Sequence, residues 1–491
     1  MPDDRFGDMD PEAFRREAHR VADWIADYLA TSSRYPVLAQ VAPGDISARL
    51  PVEAPRHGES FDAIFGDFEQ IILPGITHWN HPGFFAYFAI TASGPGILAE
   101  FLSAALNQQA MLWRTSPSAT ELEAVTLRWL QRLIHLPDSF EGVIYDTASI
   151  STLHALAAAR QRVVPDVKEK GLIVGPRSNG TTLRPDRYAV YCSDQTHSSI
   201  DKAVILLGLG QESLRRIPSD PEFRMRIEAL QAALDEDRAA GIEPLAVVAT
   251  VGSTSTTSVD PLSEIAGICA ARNIWLHVDA AYAGVAAMVP GFEHLLEGAA
   301  TADSLVVNPH KWLFTPFDAS VLYCRHMDVL RRAFSLVPEY LKTPEPSGVR
   351  NLMDTGIQLG RRFRALKLWM VMRHFGADGL AARLGEHMRL ARQFAGWIDA
   401  ADGFERLAPV PFSVVCFRAV AGPGASESEL DRLNEAMLES VNGGGEIFLS
   451  HTRLDGKFAI RLAIGNLHTT EQHIVRAWES LQKAREALRL H

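Results

Sequence analysis

The 491-residue sequence predicts an α/β protein: a large domain on a largely parallel sheet, a helical segment before it and a small α+β domain after it. Three observations carry this. Between about residues 95 and 370, short apolar runs alternate with helical patterns. The runs are rich in Val, Ile and Leu without polar alternation, as strands buried on both faces are. Beyond about residue 370 the rhythm changes to a long helical pattern followed by strands around a glycine turn. The composition, 47% hydrophobic and 22% charged, is that of a globular chain and excludes a disordered or fibrous one.

Taken in order, Asp10 before Pro11 reads as an N-cap with proline in the first helical turn. Phe14, Ala18, Val21, Ile25 and Tyr28 then recur at helical spacing, so the opening helix carries an apolar stripe. That stripe must lie on the body of the chain or on a partner subunit. Strands are expected over 142–145, 188–192, 245–251, 274–278, 304–307 and 321–324, with helices over 223–238 and 261–271 among them. The last part predicts a helix over 361–401, a strand over 413–418 and a helix over 428–442. A Gly443-Gly444-Gly445 turn, strands over 447–450 and 458–463 and a helix from 470 complete it. The segment 338–356 holds Pro338, Pro344, Pro346, Gly348 and Gly356 and shows no period, which suits a surface excursion or a lid over an active site. The expected divisions are 1–90, 91–370 and 371–491.

The formal net charge is −11, and no long Lys/Arg run occurs, so nucleic-acid binding is disfavoured. The cysteines, Cys192, Cys269, Cys324 and Cys416, are far apart and show neither disulfide nor zinc spacing. No apolar run approaches the roughly 20 residues of a membrane helix, and the N-terminus lacks a secretory h-region. The expectation is a cytoplasmic enzyme.

The strongest chemical signal is Asn308-Pro309-His310-Lys311-Trp312, a lysine just after a buried strand. Taken alone such a lysine is more often paired or snorkelling, but a desolvated amine has a lowered pKa suited to Schiff-base chemistry. Asp279, in His277-Val278-Asp279-Ala280-Ala281, ends another strand, where a carboxylate serves either to cap a helix or to hold a ligand. A strand-end Asp and a strand-end Lys in one sheet are what pyridoxal phosphate requires. The Asp keeps the pyridine nitrogen protonated and the Lys carries the aldehyde. Thr147-Ala148-Ser149-Ile150-Ser151-Thr152 opens a helix after a strand and offers N–H groups to a phosphate. His197, after the strand 188–192, could lay its ring on a cofactor ring or be merely structural. No dinucleotide fingerprint, Walker loop or His-Glu-x-x-His occurs, and no metal is expected.

Together these motifs resemble the group II pyridoxal-phosphate-dependent amino-acid decarboxylases, above all the aromatic-L-amino-acid (DOPA, tyrosine, tryptophan) enzymes. The likeness runs from about residue 10 to 485 and includes Thr77-His78-Trp79, Phe84-Phe85-Ala86-Tyr87-Phe88, Asp194-Gln195-Thr196-His197 and Leu359-Gly360-Arg361-Arg362-Phe363-Arg364. It implies fold-type I architecture, pyridoxal 5'-phosphate as cofactor and a homodimer with the N-terminal segment wrapped over the partner. Lys311 would carry the cofactor, Asp279 would meet the pyridine nitrogen, and His197 and Ala281 would cover the two faces of its ring. Thr254 and His310 would lie close to it, with Ala148, Ser149 and Asn308 on the phosphate. Tyr340 would be the proton donor, while Trp79, Tyr87, Phe88, Gln109 and Met111 would line the substrate pocket, the last two from the neighbouring subunit.

The sequence departs from the animal enzymes at Ala89-Ile90, where those read Pro-Thr, and at Gln109 and Met111, where they carry isoleucine and phenylalanine. The reading is therefore a carboxy-lyase acting on an aromatic L-amino acid. A decarboxylase of a non-aromatic acid, an aromatic aldehyde synthase and a non-catalytic scaffold are the alternatives.

Overall fold

The computed structural model describes residues 7–172, 187–336, 349–422 and 424–489. Its large sheet contains β1 (Glu141–Tyr145), β2 (Tyr188–Ser193), β3 (Leu214–Ile217), β4 (Glu243–Thr250), β5 (Trp275–Asp279), β6 (Ser304–Val307) and β7 (Ser320–Cys324). The seven strands lie in the order β1-β7-β6-β5-β4-β2-β3. Only β7 is reversed, pairing antiparallel with both β1 and β6. Successive residues of β4 face opposite cores: Val247 and Ala249 pack into one, Ala246 and Val248 into the other. Helices cover both faces, which explains strands that read as continuous apolar runs.

A second sheet contains β8 (Phe404–Arg406), β9 (Val414–Ala419), β10 (Ser450–Leu454) and β11 (Lys457–Ala463), all antiparallel, in the order β10-β11-β9-β8. The helix Ala365–Ala400 joins the two sheets and bends at Gly376, whose φ of 66° interrupts it. The helix runs through the expected division at 370/371.

Two strands escaped the sequence reading. The edge strands β3 (Leu-Arg-Arg-Ile) and β8 (Phe-Glu-Arg) are short and carry charges, so they lack the apolar signature. The strand expected over 447–450 is displaced. Residues 447–449 lie against the N-terminal segment instead, with Phe85 N–H on the Phe448 carbonyl at 2.9 Å and Phe448 N–H on the Gly83 carbonyl at 3.0 Å. The helix expected from 223 starts at Ile227, because Asp220 first folds the chain back through its bonds to the N–H groups of Glu222 and Arg224.

The first helix, Pro11–Thr31, is capped by Asp10 as expected, its carboxylate accepting from Glu12 and Ala13 N–H. None of its residues is buried, and Phe14 is 52% exposed. The helix Gly94–Leu106 likewise exposes Leu98, Phe101, Leu102 and Leu106. Between the two helices lies an apolar cavity of about 440 Å³.

The segment expected as a loop over 338–356 divides. Residues 337–348, Tyr340 among them, lie outside the described residues. From 349 to 356 the chain is packed, correcting the expectation of an irregular excursion there. Leu352 and Met353 are buried, Met353 N–H bonds the Met111 carbonyl, and Tyr145 donates to the Thr355 carbonyl.

Candidate active site

The parallel strands deliver their carboxyl ends to one edge of the sheet. Register pairs Thr250 of β4 with Asp279 of β5, and Asp279 with Val306 of β6. The segments that follow β1, β2, β4, β5 and β6 therefore meet there, carrying Ala148 and Ser149, His197, Thr254, Asp279 and Ala281, and Asn308 to Lys311 in turn. In open parallel sheets ligands settle in this crevice. Gly252 makes the turn after β4 fit: its φ is +87°, and a Cβ there would lie 2.6 Å from that of Ala283.

A cavity of about 420 Å³ opens at this edge, lined by Trp79, Tyr87, Phe88, His197, Thr254, His310 and Lys311. Among the described residues Lys311 has no carboxylate ion pair. Its Nζ lies 5.3 Å above the Phe88 ring. Burial lowers its pKa, with the Asp279 carboxylate opposing. Burial also lowers that of His197, with Asp279 raising it and Lys311 lowering it again. Asp279 itself is buried, and its Oδ1 accepts from Ala281 N–H at 3.1 Å. The His197 ring is fixed by the Ser199 N–H on its Nδ1 at 3.1 Å.

The wall is aromatic. Trp79 stacks on Phe84 at 4.3 Å and faces Tyr87 at 6.0 Å, while Phe88 stacks on Tyr282 at 3.8 Å. Tyr87 is held at φ 51°, a strained conformation for a tyrosine, with its N–H on Ser450 Oγ. Thus Trp79, Tyr87, Phe88, His197, Thr254, His310 and Lys311 share one cavity. Gln109 does not: it lines a separate cavity of about 510 Å³ beside Tyr145, Asp146 and Arg361. Met111 is bonded through its carbonyl to Met353. A single chain does not bring these two to Lys311.

The sequence reading missed Arg461. It is 4% exposed, and its donors go to neutral oxygens: Ser255 O and Thr254 O at 2.8 Å and Ser450 Oγ at 3.0 Å. Its place in β11 gave no local signal. Ser255, Ser450, His451 and Thr452 reach the same cavity, most of them from the small sheet.

The sheet edge with its half-buried lysine and buried aspartate defines a fold-type I pyridoxal-phosphate enzyme. The family model for the pyridoxal-dependent decarboxylase conserved domain matches residues 43–420. The chain is 41% identical to tryptophan decarboxylase 2 of Oryza sativa subsp. japonica, over 96% of this chain and 95% of that protein. It is 40% identical to phenylacetaldehyde synthase of Arabidopsis thaliana, over 97% and 96%. The solved structure of Oryza sativa TDC with PLP and tryptamine superposes with a TM-score of 0.93 at 35% identity, covering 98% of this chain and 99% of that one. The chain belongs to the pyridoxal-dependent decarboxylase family.

The residues present fit the cofactor. Asn308 Oδ1 is buried and has no partner among the described residues, while the amide nitrogen lies 3.3 Å from His310 Nε2. His310 Nδ1 accepts the Ala319 N–H at 2.9 Å, so the neutral ring holds its proton on Nε2. That proton is best met by the amide oxygen, which turns the Asn308 NH2 outward as a free buried donor. Thr147, before the helix Ala148–Val163, makes no side-chain cap; its carbonyl takes the Ile150 and Ser151 N–H groups, which leaves those of Ala148 and Ser149 to meet a phosphate.

Five buried histidines are held neutral by desolvation: His81, His277 and His387 are pushed down to about 4, His154 and His310 to about 3. The unfolded chain, with histidine near 6.5, binds more protons below that pH. Stability is therefore fully present above about pH 6.5 and falls as the pH drops toward 4, each histidine costing up to about 1.4 kcal/mol per pH unit. Thermal unfolding should show Tm declining from pH 7 to 5 at constant ionic strength. An unchanged Tm would contradict the burial of neutral rings.

Proposed function

We propose that the chain decarboxylates an aromatic L-amino acid to its amine and carbon dioxide. The observation that carries this reading is the wall of Trp79, Tyr87 and Phe88 in one cavity with Lys311. Such rings gain about 0.5–1.5 kcal/mol beyond burial when they meet another aromatic group. Arg461 stands in the same cavity but is already engaged by neutral oxygens, so among the described residues the cavity offers no free arginine to an acidic side chain.

Pyridoxal phosphate, when bound, supplies the electron sink for the pair released as the carboxylate leaves. The chain's own residues prepare for it. Lys311 keeps its amine available because burial disfavours the ammonium. Asp279 would hold a proton at the ring nitrogen by its charge, and His197 and Ala281 would hold the ring's faces. Thr254 and His310 would border it, while Ala148, Ser149 and Asn308 would offer N–H groups to the phosphate. The proposal that Tyr340 returns a proton to the substrate carbon rests on the sequence resemblance. With dioxygen as the oxidant, Tyr340→Phe should then divert product from amine toward aldehyde, hydrogen peroxide and ammonia, and clean amine release by that variant in air would exclude the role.

We infer a homodimer in the cytoplasm, with the exposed faces of Pro11–Thr31 and Gly94–Leu106 covered by a second copy. A monomer by sedimentation would refute the dimer. The division into an N-terminal segment, a large domain and a small domain at 90 and 370 belongs to the same reading, which limited proteolysis checks. In that dimer Gln109 and Met111 would reach the neighbouring site. Gln109 Oε1 is taken by Arg361 N–H at 2.6 Å, which leaves its amide NH2 to offer. An NH2 donor suits a phenolic oxygen and not an indole N–H, so tyrosine or DOPA is favoured over tryptophan. Gln109→Ile should lower kcat/KM for tyrosine about 3- to 10-fold with phenylalanine little changed, the scale of one hydrogen bond. Rates on tryptophan, tyrosine, DOPA, phenylalanine, histidine and glutamate, with amine and carbon dioxide both measured, test the whole reading. A preference for glutamate would overturn it.

A further inference from the structure

His387 lies outside the cavity, on the helix Ala365–Ala400, and is 3% exposed. Its Nδ1 accepts the indole N–H of Trp312, the residue after Lys311, at 2.9 Å. The neutral ring therefore carries its proton on Nε2, on the side of the Asn466 backbone carbonyl. The Asn466 side chain in turn donates to the Trp79 carbonyl at 3.1 Å and the His81 carbonyl at 3.0 Å. One imidazole thus anchors the turn bearing Lys311 through Trp312 and sits beside Asn466, which holds the segment bearing Trp79.

The same imidazole governs the other wall. Trp312 stacks on Tyr282 at 4.7 Å with 6° between the planes, and Tyr282 stacks on Phe88 at 3.8 Å with 20°. A parallel column of flat rings transmits a tilt or slide of one member to the next, because close-packed rings leave no gap to absorb it. Phe88 and Trp79, the two faces between which a substrate ring would sit, are both referenced to His387.

We propose that His387 is a positioning residue: by holding Trp312 on one nitrogen and packing beside Asn466 with the other, it sets the spacing of the Trp79 and Phe88 walls and so selects aromatic substrates by ring size. This rests on the aromatic-decarboxylase reading above. A wall that drifts weakens the grip on the substrate ring and blurs discrimination, while Lys311 and Asp279 stay in place. The expected signature is a loss in KM and selectivity, not in kcat or cofactor binding.

The test compares the dimeric holoenzyme with His387→Leu, His387→Gln and Trp312→Phe. Glutamine can accept from the indole N–H and donate to the carbonyl, whereas leucine can do neither, and Trp312→Phe keeps the ring stack but removes the N–H. His387→Leu and Trp312→Phe should each raise KM for aromatic acids about tenfold, an effect of the size of one buried hydrogen bond, with kcat within about twofold. Both should narrow the ratio of kcat/KM between the largest and smallest rings, and His387→Gln should restore it. The dissociation constant of pyridoxal phosphate, titrated onto the apo-protein, should be unchanged in all three. If His387→Leu does not fold, Trp312→Phe decides: parental KM and ring selectivity in it would overturn the proposal. So would equal losses in kcat, cofactor affinity and Tm without a change in selectivity, the mark of a merely structural residue. A parent enzyme inactive on every aromatic acid would instead fell the substrate reading, and this inference with it.

Discussion

Lys311→Ala is expected to lower turnover by more than about 10³-fold, the scale seen when an enzyme loses the group that bonds its substrate or cofactor. It should also leave the protein without the yellow absorbance of bound cofactor. Stability should move the other way. The amine is buried, has no carboxylate ion pair among the described residues, and is held below its usual pKa by desolvation. Removing an amine whose polar head is desolvated there relieves a penalty, so the Tm of the apo-protein should hold or rise. Borohydride reduction of the parent holoenzyme should attach the cofactor to the peptide containing Lys311 and to no other. Label on another lysine, or a variant cycling at the parental rate, would refute the assignment.

Asp279→Asn is expected to be the second largest loss, on the order of 10²- to 10⁴-fold in kcat, because the shape survives and the charge does not. The amide oxygen can still accept the Ala281 N–H that Asp279 Oδ1 now accepts. Cofactor affinity should therefore fall far less than rate. The change also removes the carboxylate that raises the pKa of both Lys311 and His197, so both should move further down. The Lys311 shift is readable as a lower apparent pKa for the amine's reaction with an aldehyde in the apo-protein. Parental kcat in Asp279→Asn would show that the charge beside the pyridine nitrogen does not drive the reaction.

The two effects separate what the site does from what holds it. Arg461 closes the cavity from the small sheet without meeting a carboxylate, and Arg361 pairs with Glu123 at 2.8 Å deep beneath the Gln109 segment. Neither bears a role that its sequence neighbourhood announced. A buried ion pair of this kind contributes little net stability but fixes geometry, since breaking one partner leaves an unpaired charge.

The sequence by itself determined the α/β class, because strands covered on both faces cannot alternate, and β1, β2, β4, β5, β6 and β7 were legible for that reason. It also singled out Lys311 and Asp279 as candidates, since a lysine or carboxylate at the end of an apolar run breaks the pattern around it. The edge strands β3 and β8 were not legible, as half-exposed strands need no apolar signature. Only the tertiary structure decided which side chains share the cavity. It placed Arg461 and the β10 residues beside Lys311 and kept Gln109 apart. It also packed 349–356 onto Met111 and bonded Trp312 to His387. Those meetings join residues far apart in the chain, and they depend on how sheets and helices stack. Local sequence carries periodicity and capping, but not which distant surface a given side chain will touch.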